Sequence, residues 1–121
     1  MVHQIIALTA AYNQVAANVA VQEVGGFDYA VLQIVGPSAG TITFQATNDA
    51  GAVQGETDGN AGLATNFVSL FGTNVSTGVG TATTTAAGIW RFDFPPKFIR
   101  LNKSSNSMTA TKVLLMLRKI S

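Results

Sequence analysis

The sequence has no cysteine, and charged residues make up only 11% of its 121 positions. Without thiols there are no disulfides and no thiolate metal ligands. A typical soluble domain has about 25% charged residues, so this surface must be made largely of Thr, Ser, Asn, Gln and Gly. A surface so poor in charge is typical of a protein that is partly covered by neighbouring molecules.

Long apolar runs are also missing. No stretch approaches the roughly 20 apolar residues that a membrane-spanning helix needs. The opening segment "MVHQIIALTAAYNQ" has neither the basic start nor the apolar run of a signal peptide. We therefore expect no membrane partner, and a product made in a cytoplasm and kept there or packaged from it. The length fits one domain, spanning residues 1–121.

The few charges are unevenly spread along the chain. Five of the six acidic residues precede residue 60, and all seven basic residues follow residue 90. Ordinary solvated charge on strands explains this distribution. The alternative is a basic face that meets an acidic partner, or identical subunits that meet head to tail.

The remaining composition favours strands. Gly, Thr, Ala, Val and Asn dominate, and turn residues separate short segments with alternating apolar positions. Strands are predicted at 27–35, 41–47, 67–71, 73–85, 88–94, 97–103 and 109–120. With a strand near the N-terminus this gives about eight strands, and the predicted fold class is all-β, a single antiparallel β-sandwich or jelly roll.

The alternation also predicts which side chains face the core. Ile42, Phe44 and Ala46 share one side of their strand, and Ile99 and Leu101 share one side of theirs. Three aromatic residues alternate before two prolines: Trp90, Phe92 and Phe94. In 27–35 both sides are largely apolar, so this strand is predicted to be central and covered on both faces. Residues 36–40, "GPSAG", are predicted to turn it into a hairpin with 41–47.

The N-terminal region has alternative interpretations. Residues 2–9 fit either a strand or an extended arm, and the arm would cover residues 1–14. Residues 14–24 place Val15, Ala17, Val19 and Val21 on one side of a strand. A helix over 10–20 is the competing interpretation, because Ala favours helix.

No motif of enzyme chemistry is present. A Ser-His-Asp arrangement would need His3, the single histidine, to fold onto the core. The Asp and Asn residues of the long polar loop 48–66 do not follow the calcium-loop spacing, and no phosphate-binding GxxxxGK[ST] occurs. The aromatic residues near the C-terminal basic residues alternate as core residues do, rather than as a nucleic-acid platform. We expect no enzyme activity, no cofactor, no metal and no nucleic-acid partner.

The order of four motifs carries a resemblance. They are "VGGFDYAVLQIVG" at 24–36, "GTITFQATNDAG" at 40–51, "AAGIWRFDFPPKFIRLNK" at 86–103, and a closing "ATKVLLMLR" at 110–118. This order resembles a pattern in virion proteins of tailed bacteriophages, over about residues 20–120. The sequence departs from that pattern after Asn48-Asp49, where the loop continues without an aromatic residue until Phe67.

The resemblance implies a small structural β-sandwich of a virion. The first interpretation is a capsid decoration, or cement, protein that binds the outer shell and bridges neighbouring subunits. Its partners would be the major capsid protein and further copies of itself, as dimers or trimers, on the capsid surface and, during assembly, in the host cytoplasm. The alternative is a tail or host-recognition module that binds cell-surface glycan. A bacterial adhesion module is a third interpretation, although the secretion signal it would need is not apparent.

Contact residues are predicted at two places. The first is the long loop after the Asn-Asp turn, and the second is the N-terminal segment, as an arm that grips the shell. The predicted contact residues are Asn48, Asp49, Glu56, Asp58, Asn60, His3 and Ile5.

Overall fold

The structure, a computed structural model, describes residues 2–57 and 66–120. The described residues form eleven strands and one single-turn helix, α1 (Thr9–Tyr12). The strands are β1 (Val2–Ala7), β2 (Asn18–Glu23), β3 (Tyr29–Val35), β4 (Ile42–Thr47), β5 (Val68–Ser69), β6 (Gly72–Asn74), β7 (Gly80–Thr81), β8 (Thr83–Thr84), β9 (Gly88–Asp93), β10 (Phe98–Lys103) and β11 (Lys112–Lys119).

Two antiparallel sheets pack face to face. The larger has six strands in the order β1-β11-β3-β9-β6-β7. The smaller has the order β2-β10-β4-β5, and β8 also pairs with β4. The fold class predicted from the sequence, an all-β sandwich, is confirmed. Four of the strands are only two or three residues long, which is why the alternation indicated about eight.

One apolar core lies between the sheets. Ile42, Phe44 and Ala46 of β4 are buried, as are Ile99 and Leu101 of β10, so both predictions of inward-facing residues are confirmed. The Phe44 ring packs against two rings of the opposite sheet, 5.2 Å from Trp90 and 5.4 Å from Phe92 between centroids. Edge-to-face packing of this kind stabilises beyond the area it buries.

The predicted hairpin of β3 and β4 is wrong. β3 belongs to the six-stranded sheet and β4 to the other, so "GPSAG" carries the chain across the sandwich. Ser38 fixes this crossover by exchanging two hydrogen bonds with Thr109, one through main-chain groups and one through its hydroxyl. Gly36 has φ +58, and a Cβ at this position would collide with the Thr111 side chain.

The prediction that both faces of β3 are covered is also wrong. Ala30, Leu32 and Ile34 are buried, but the alternate residues of β3 are only half-buried, because no further layer packs on that side in the described part of the chain. β3 is nevertheless central, with β11 on one side and β9 on the other. Phe94 also departs from its prediction: it is 74% exposed with φ 47, since the chain turns before Pro95.

The N-terminal segment forms a strand rather than an extended arm. β1 pairs residue by residue with β11. Beyond it, α1 packs down through Tyr12, which is fully buried, and Asn13 exchanges two hydrogen bonds with the main chain of Ala110. The helix proposed for 10–20 is therefore limited to one turn.

The predicted strand over 14–24 begins only at Asn18. Val15 is 83% exposed, so the predicted one-sided alternation fails there. It fails again at Ala20, whose φ of 57 accompanies a register shift against β10. This bulge leaves Val19 in the main core and places Val21 in a second small cluster with Ala52 and Phe98.

Candidate interaction surface

The side of the six-stranded sheet that points away from the core forms a broad surface, called here the outer face. In a strand, alternate residues point to opposite faces. Those facing away from the core are, from the edge inward, His3, Ile5 and Ala7 of β1, then Lys112, Leu114, Met116 and Arg118 of β11, then Tyr29, Val31, Gln33 and Val35 of β3, and Ile89, Arg91 and Asp93 of β9.

The middle of the outer face is apolar. Register places Ile5 opposite Met116 and Met116 opposite Val31, which forms one apolar row across three strands. Leu114 and Ile89 lie in the adjacent row, on either side of Gln33. These side chains surround a shallow hollow of about 200 Å³. A contiguous apolar patch on a sheet face marks a surface suited to protein contacts.

A second hollow, of about 340 Å³, lies beside the patch and carries charge. It is lined by Tyr29, Val31, Arg91, Asp93 and Arg118. Arg91 and Asp93 form an ion pair with Nε 2.8 Å from Oδ1, and both are nearly half exposed. Such a pair contributes little to stability, so both groups can rearrange toward a partner.

Arg118 is the cation of this hollow without a carboxylate partner among the described residues. Its Nε is buried and has no hydrogen-bond partner there, and Nη2 lies 3.7 Å from the Met116 sulfur, which is a weak acceptor. A buried donor without a partner costs free energy. Since Arg118 lines the hollow, an anionic group bound there would face the guanidinium charge.

An aromatic pair borders the charged hollow. The rings of Tyr29 and Phe94 lie 6.2 Å apart. The Phe94 N–H donates to the carbonyl of Asp28, which holds the turn after β9 and directs the Phe94 ring to the surface. The exposed Phe94 ring lies against Tyr29, which lines the hollow, and such a ring can contact either a protein side chain or the face of a sugar.

The opposite side of the sandwich has a different character. On the smaller sheet Arg100 Nε donates to Gln45 Oε1 at 2.7 Å, and its guanidinium stacks over Phe67 at 3.9 Å. Asn102 donates to Asn18 at 2.8 Å. These polar groups bind one another, so this face presents fewer unmet hydrogen-bond groups to a partner than the outer face.

The basic residues do not gather on one face. Arg91, Lys112 and Arg118 lie on the outer face, Arg100 lies on the smaller sheet, and Lys103 is buried. The basic residues are clustered in the sequence but not in space, because β9 and β11 belong to the larger sheet and β10, between them in the chain, belongs to the smaller one.

Two of the predicted contact residues lie on the outer face. His3 and Ile5 are exposed on β1, and Ile5 is 66% exposed. They belong to a paired strand, so they offer a fixed surface instead of a mobile arm.

The predicted loop residues serve the fold. Asn48 Oδ1 accepts the N–H of Lys97, and Asp49 Oδ1 accepts the N–H of Gly51 in a local turn. Glu56 is only 5% exposed, so it has almost no surface to offer a partner. Asp58 and Asn60 lie outside the described residues. The loop packs on the smaller sheet through Gly55, whose N–H donates to the Val21 carbonyl, so the two predicted regions do not form one surface.

Sequence reasoning missed Arg118 and the apolar patch, although a signal was present. In β11, Leu114, Met116 and Arg118 alternate with buried Val113, Leu115 and Leu117. Both sides of β11 are apolar, and the same is true of β3. Two neighbouring strands of this kind indicate a sheet whose outer face is itself apolar, rather than a sheet covered by a second layer.

Side chains that could bind a metal ion are not clustered in the described part of the chain. Across residues 2–57 and 66–120 there is no group of three or more His, Asp or Glu side chains able to hold a metal ion. Trp90 is buried in the core, as predicted. Within the same ranges, no helix is long and apolar enough to cross a membrane.

Comparison with known proteins shows that this fold occurs in a solved structure. No protein-family model matches the chain, and no curated protein matches it in sequence. Among solved structures it is similar to the SPBc2 prophage-derived protein YomS, with a TM-score of 0.69 and 18% identity. The match covers 95% of this chain and 91% of that one. At this identity the likeness shows a shared fold over nearly the whole of both chains.

Proposed function

We propose that the chain is a non-enzymatic structural protein of a bacteriophage particle, and that it acts as a capsid decoration, or cement, protein. The observation that carries the proposal is the outer face: an apolar patch beside a hollow that holds Arg118, which has no carboxylate partner among the described residues. A surface of this kind suits a large protein partner better than a small substrate.

The shared fold supports a phage origin. YomS is a prophage-derived protein, and the motif order of this chain independently resembles virion proteins of tailed phages. We infer that this chain is also a phage protein. Its place on the capsid surface, reached from the host cytoplasm during assembly, is part of the proposal.

The proposed mechanism is mechanical. The patch around Val31 and Met116 would bury apolar area against the major capsid protein, at about 25 cal/mol per Å². Arg118 would bind a carboxylate of the shell in the charged hollow. Copies arranged as dimers or trimers on local axes would bridge neighbouring subunits, and multivalency would make weak single contacts sufficient. No cofactor, nucleic acid or membrane enters this mechanism.

Copy number in purified particles tests the proposal. Quantitative mass spectrometry of particles that carry this chain would give the number of copies per major capsid subunit. A ratio near one, or another simple lattice fraction, supports a shell protein. A few copies per particle would contradict the cement role and move the protein to the tail.

Variants of the outer face test the proposed surface. Arg118→Gln removes the cation that would bind the shell carboxylate, and we expect it to weaken binding to undecorated shells about tenfold, or about 1.4 kcal/mol. Thr83→Glu, on the smaller sheet, is the control and should bind like the wild type. If both variants weaken shell binding equally, or if neither weakens it, the outer face is not the binding surface.

A second candidate is a tail or host-recognition module that binds an acidic glycan. The pair of Tyr29 and Phe94 favours it, because a ring beside Arg118 could stack on a sugar that carries a carboxylate. An NMR titration with glucuronic acid distinguishes the two candidates. Shifts confined to Tyr29, Phe94 and Arg118 at millimolar sugar support the glycan role, and no shifts remove it.

A further inference from the structure

β1 differs from the other edges of the two sheets in the described part of the chain. Edge strands expose unpaired main-chain groups, and proteins protect them by shortness, bulges, charge or cover. β7, at the opposite edge of the larger sheet, has two residues, and β5 and β8, at one edge of the smaller sheet, have two each. β2, at the remaining edge, is bulged at Ala20 and covered where Gly55 donates to Val21.

β1 has none of these protections. It is six residues long, pairs with β11 without a register shift, and contains no lysine, arginine, acid, proline or glycine. Among the described residues, β11 is the one element whose main chain is hydrogen-bonded to β1. Ile5 projects from it with 66% of its surface exposed.

We propose that β1 pairs antiparallel with β1 of a second copy of this chain, about a two-fold axis that runs between the strands, midway between Ile5 and its equivalent. The pairing would join two six-stranded sheets into one continuous sheet and remove the unprotected edge from both copies. It follows from main-chain geometry and does not rest on the proposed virion role.

A second copy fits this edge for three reasons. Each copy brings a preformed strand, so little ordering entropy is lost on association. A two-fold pair uses the same surface of both molecules, as most homodimers do. Charge does not oppose it: β11 of one copy lies three strand spacings, about 14 Å, from β11 of the other, farther than the screening length of about 8 Å at physiological salt.

The alternation of side chains fixes where the axis can lie. Opposite residues of an antiparallel pair point to the same face. The residue nearest the axis must therefore face its own equivalent in the second copy, and not the residue before or after it. An axis at Ile5 sets Ile5 against its equivalent, His3 against Ala7, and Gln4 against Ile6. This register uses all of β1 from His3 onward and extends the apolar row of Ile5, Met116 and Val31 into the second copy.

The absence of cysteine allows a direct test. The variant Ile5→Cys would place two thiols opposite each other on the axis, within the Cβ separation of about 4.5–5.5 Å for facing residues of antiparallel strands. We expect mild oxidation to give a cross-linked species of twice the 12.6 kDa monomer mass. Val79→Cys is the matched control, since Val79 is 62% exposed in a different region, and it should give no cross-linked species under the same oxidation.

A second pair of variants tests the association itself. By sedimentation equilibrium the wild-type chain should be dimeric at about 100 µM, and Ile5→Lys should raise the dissociation constant at least about 100-fold, because like charges opposite each other in a sheet repel. Val79→Lys should dimerise like the wild type. A monomeric wild type, a trimer, or a dimer unaffected by Ile5→Lys would overturn the proposal. None of these results bears on the copy number in particles, which tests the virion role separately.

Discussion

At the scale of single residues, the buried Lys103 holds the N-terminal segment to the sandwich. Its side chain is 2% exposed, and Nζ donates to the carbonyls of Tyr12, Gln14 and Met108 at 2.8, 2.8 and 2.9 Å. Three acceptors match the three N–H groups of an ammonium. Burial lowers the pKa of Lys103 below its ordinary value, because desolvation disfavours the charged form.

Replacing this ammonium should destabilise the fold. Lys103→Met keeps the side-chain length but removes three donors. The Gln14 carbonyl still accepts the N–H of Ala16, so the Tyr12 and Met108 carbonyls bear most of the loss, at about 1–3 kcal/mol for each buried carbonyl without a partner. We expect the free energy of unfolding to fall by about 2–4 kcal/mol. Chemical denaturation followed by the fluorescence of the buried Trp90 measures it.

Lys112→Met is the control for this variant. Lys112 is exposed on β11, so its replacement should change stability by less than about 0.5 kcal/mol. If the two variants lost equal stability, the three carbonyl contacts would not be what stabilises the segment.

Tyr12 gives the protein a specific sensitivity to alkaline pH. Burial raises the pKa of Tyr12 from 10.0 to about 12, because desolvation disfavours the phenolate. Between these values the unfolded chain loses the phenolic proton while the folded chain keeps it, so the free energy of unfolding falls as pH rises. One pKa unit corresponds to about 1.4 kcal/mol, so the loss approaches roughly 2–3 kcal/mol near pH 12.

The variant Tyr12→Phe isolates this effect. Its phenyl ring keeps the packing and removes a hydroxyl that has no hydrogen-bond partner among the described residues. At pH 7 the free energies of unfolding of wild type and variant should differ little. Above pH 10 the variant should become increasingly more stable than the wild type. Parallel stability curves from pH 7 to 12 would contradict the assignment to Tyr12.

At the scale of elements, the crossover between β3 and β4 depends on a glycine. Gly36 has φ +58, which costs an L-residue roughly 1–2 kcal/mol, and a Cβ there would also meet Thr111. Gly36→Ala should therefore destabilise by about 1 kcal/mol more than Gly78→Ala, whose φ is +74 but whose Cβ would meet no atom within 4 Å.

A double variant separates backbone strain from collision. In a Thr111→Ala background most of the clash is gone, so the cost of Gly36→Ala should fall toward that of Gly78→Ala. Denaturant midpoints of the four variants measure the coupling. If Gly36→Ala destabilises the Thr111→Ala protein as much as the wild type, backbone strain alone explains the destabilisation.

Individual strands were largely predictable, and their partners were not. The alternations in β4 and β10 and most of that in β9 match the structure because period two is a local property of the backbone. The hairpin of β3 with β4 was wrong because a five-residue Gly-Pro-Ser connection is compatible with a return in the same sheet or a passage to the other. The bulge at Ala20 was also missed, since no residue in "QVAANVAVQEV" signals it.

At the scale of the whole molecule, the candidate surface is assembled from distant parts of the sequence. One row of the outer face contains Ile5, Met116 and Val31. More than 80 positions of the sequence separate Val31 from Met116. His3 and Ile5 were predicted as contact residues, but as parts of an arm. Arg118 was not predicted, because its missing partner is visible only once the neighbouring strands are in place.

The sequence by itself determined the all-β class, most of the buried faces of the strands and the scarcity of catalytic side chains, because composition and period-two alternation act locally. Tertiary structure alone decided which sheet each strand joins, and that Lys103 is buried and Phe94 exposed. It also decided that, among residues 2–57 and 66–120, no layer covers the outer side of β3 and nothing protects the edge strand β1. These outcomes depend on pairing and packing between residues far apart in the chain, and local patterns carry no record of such partners.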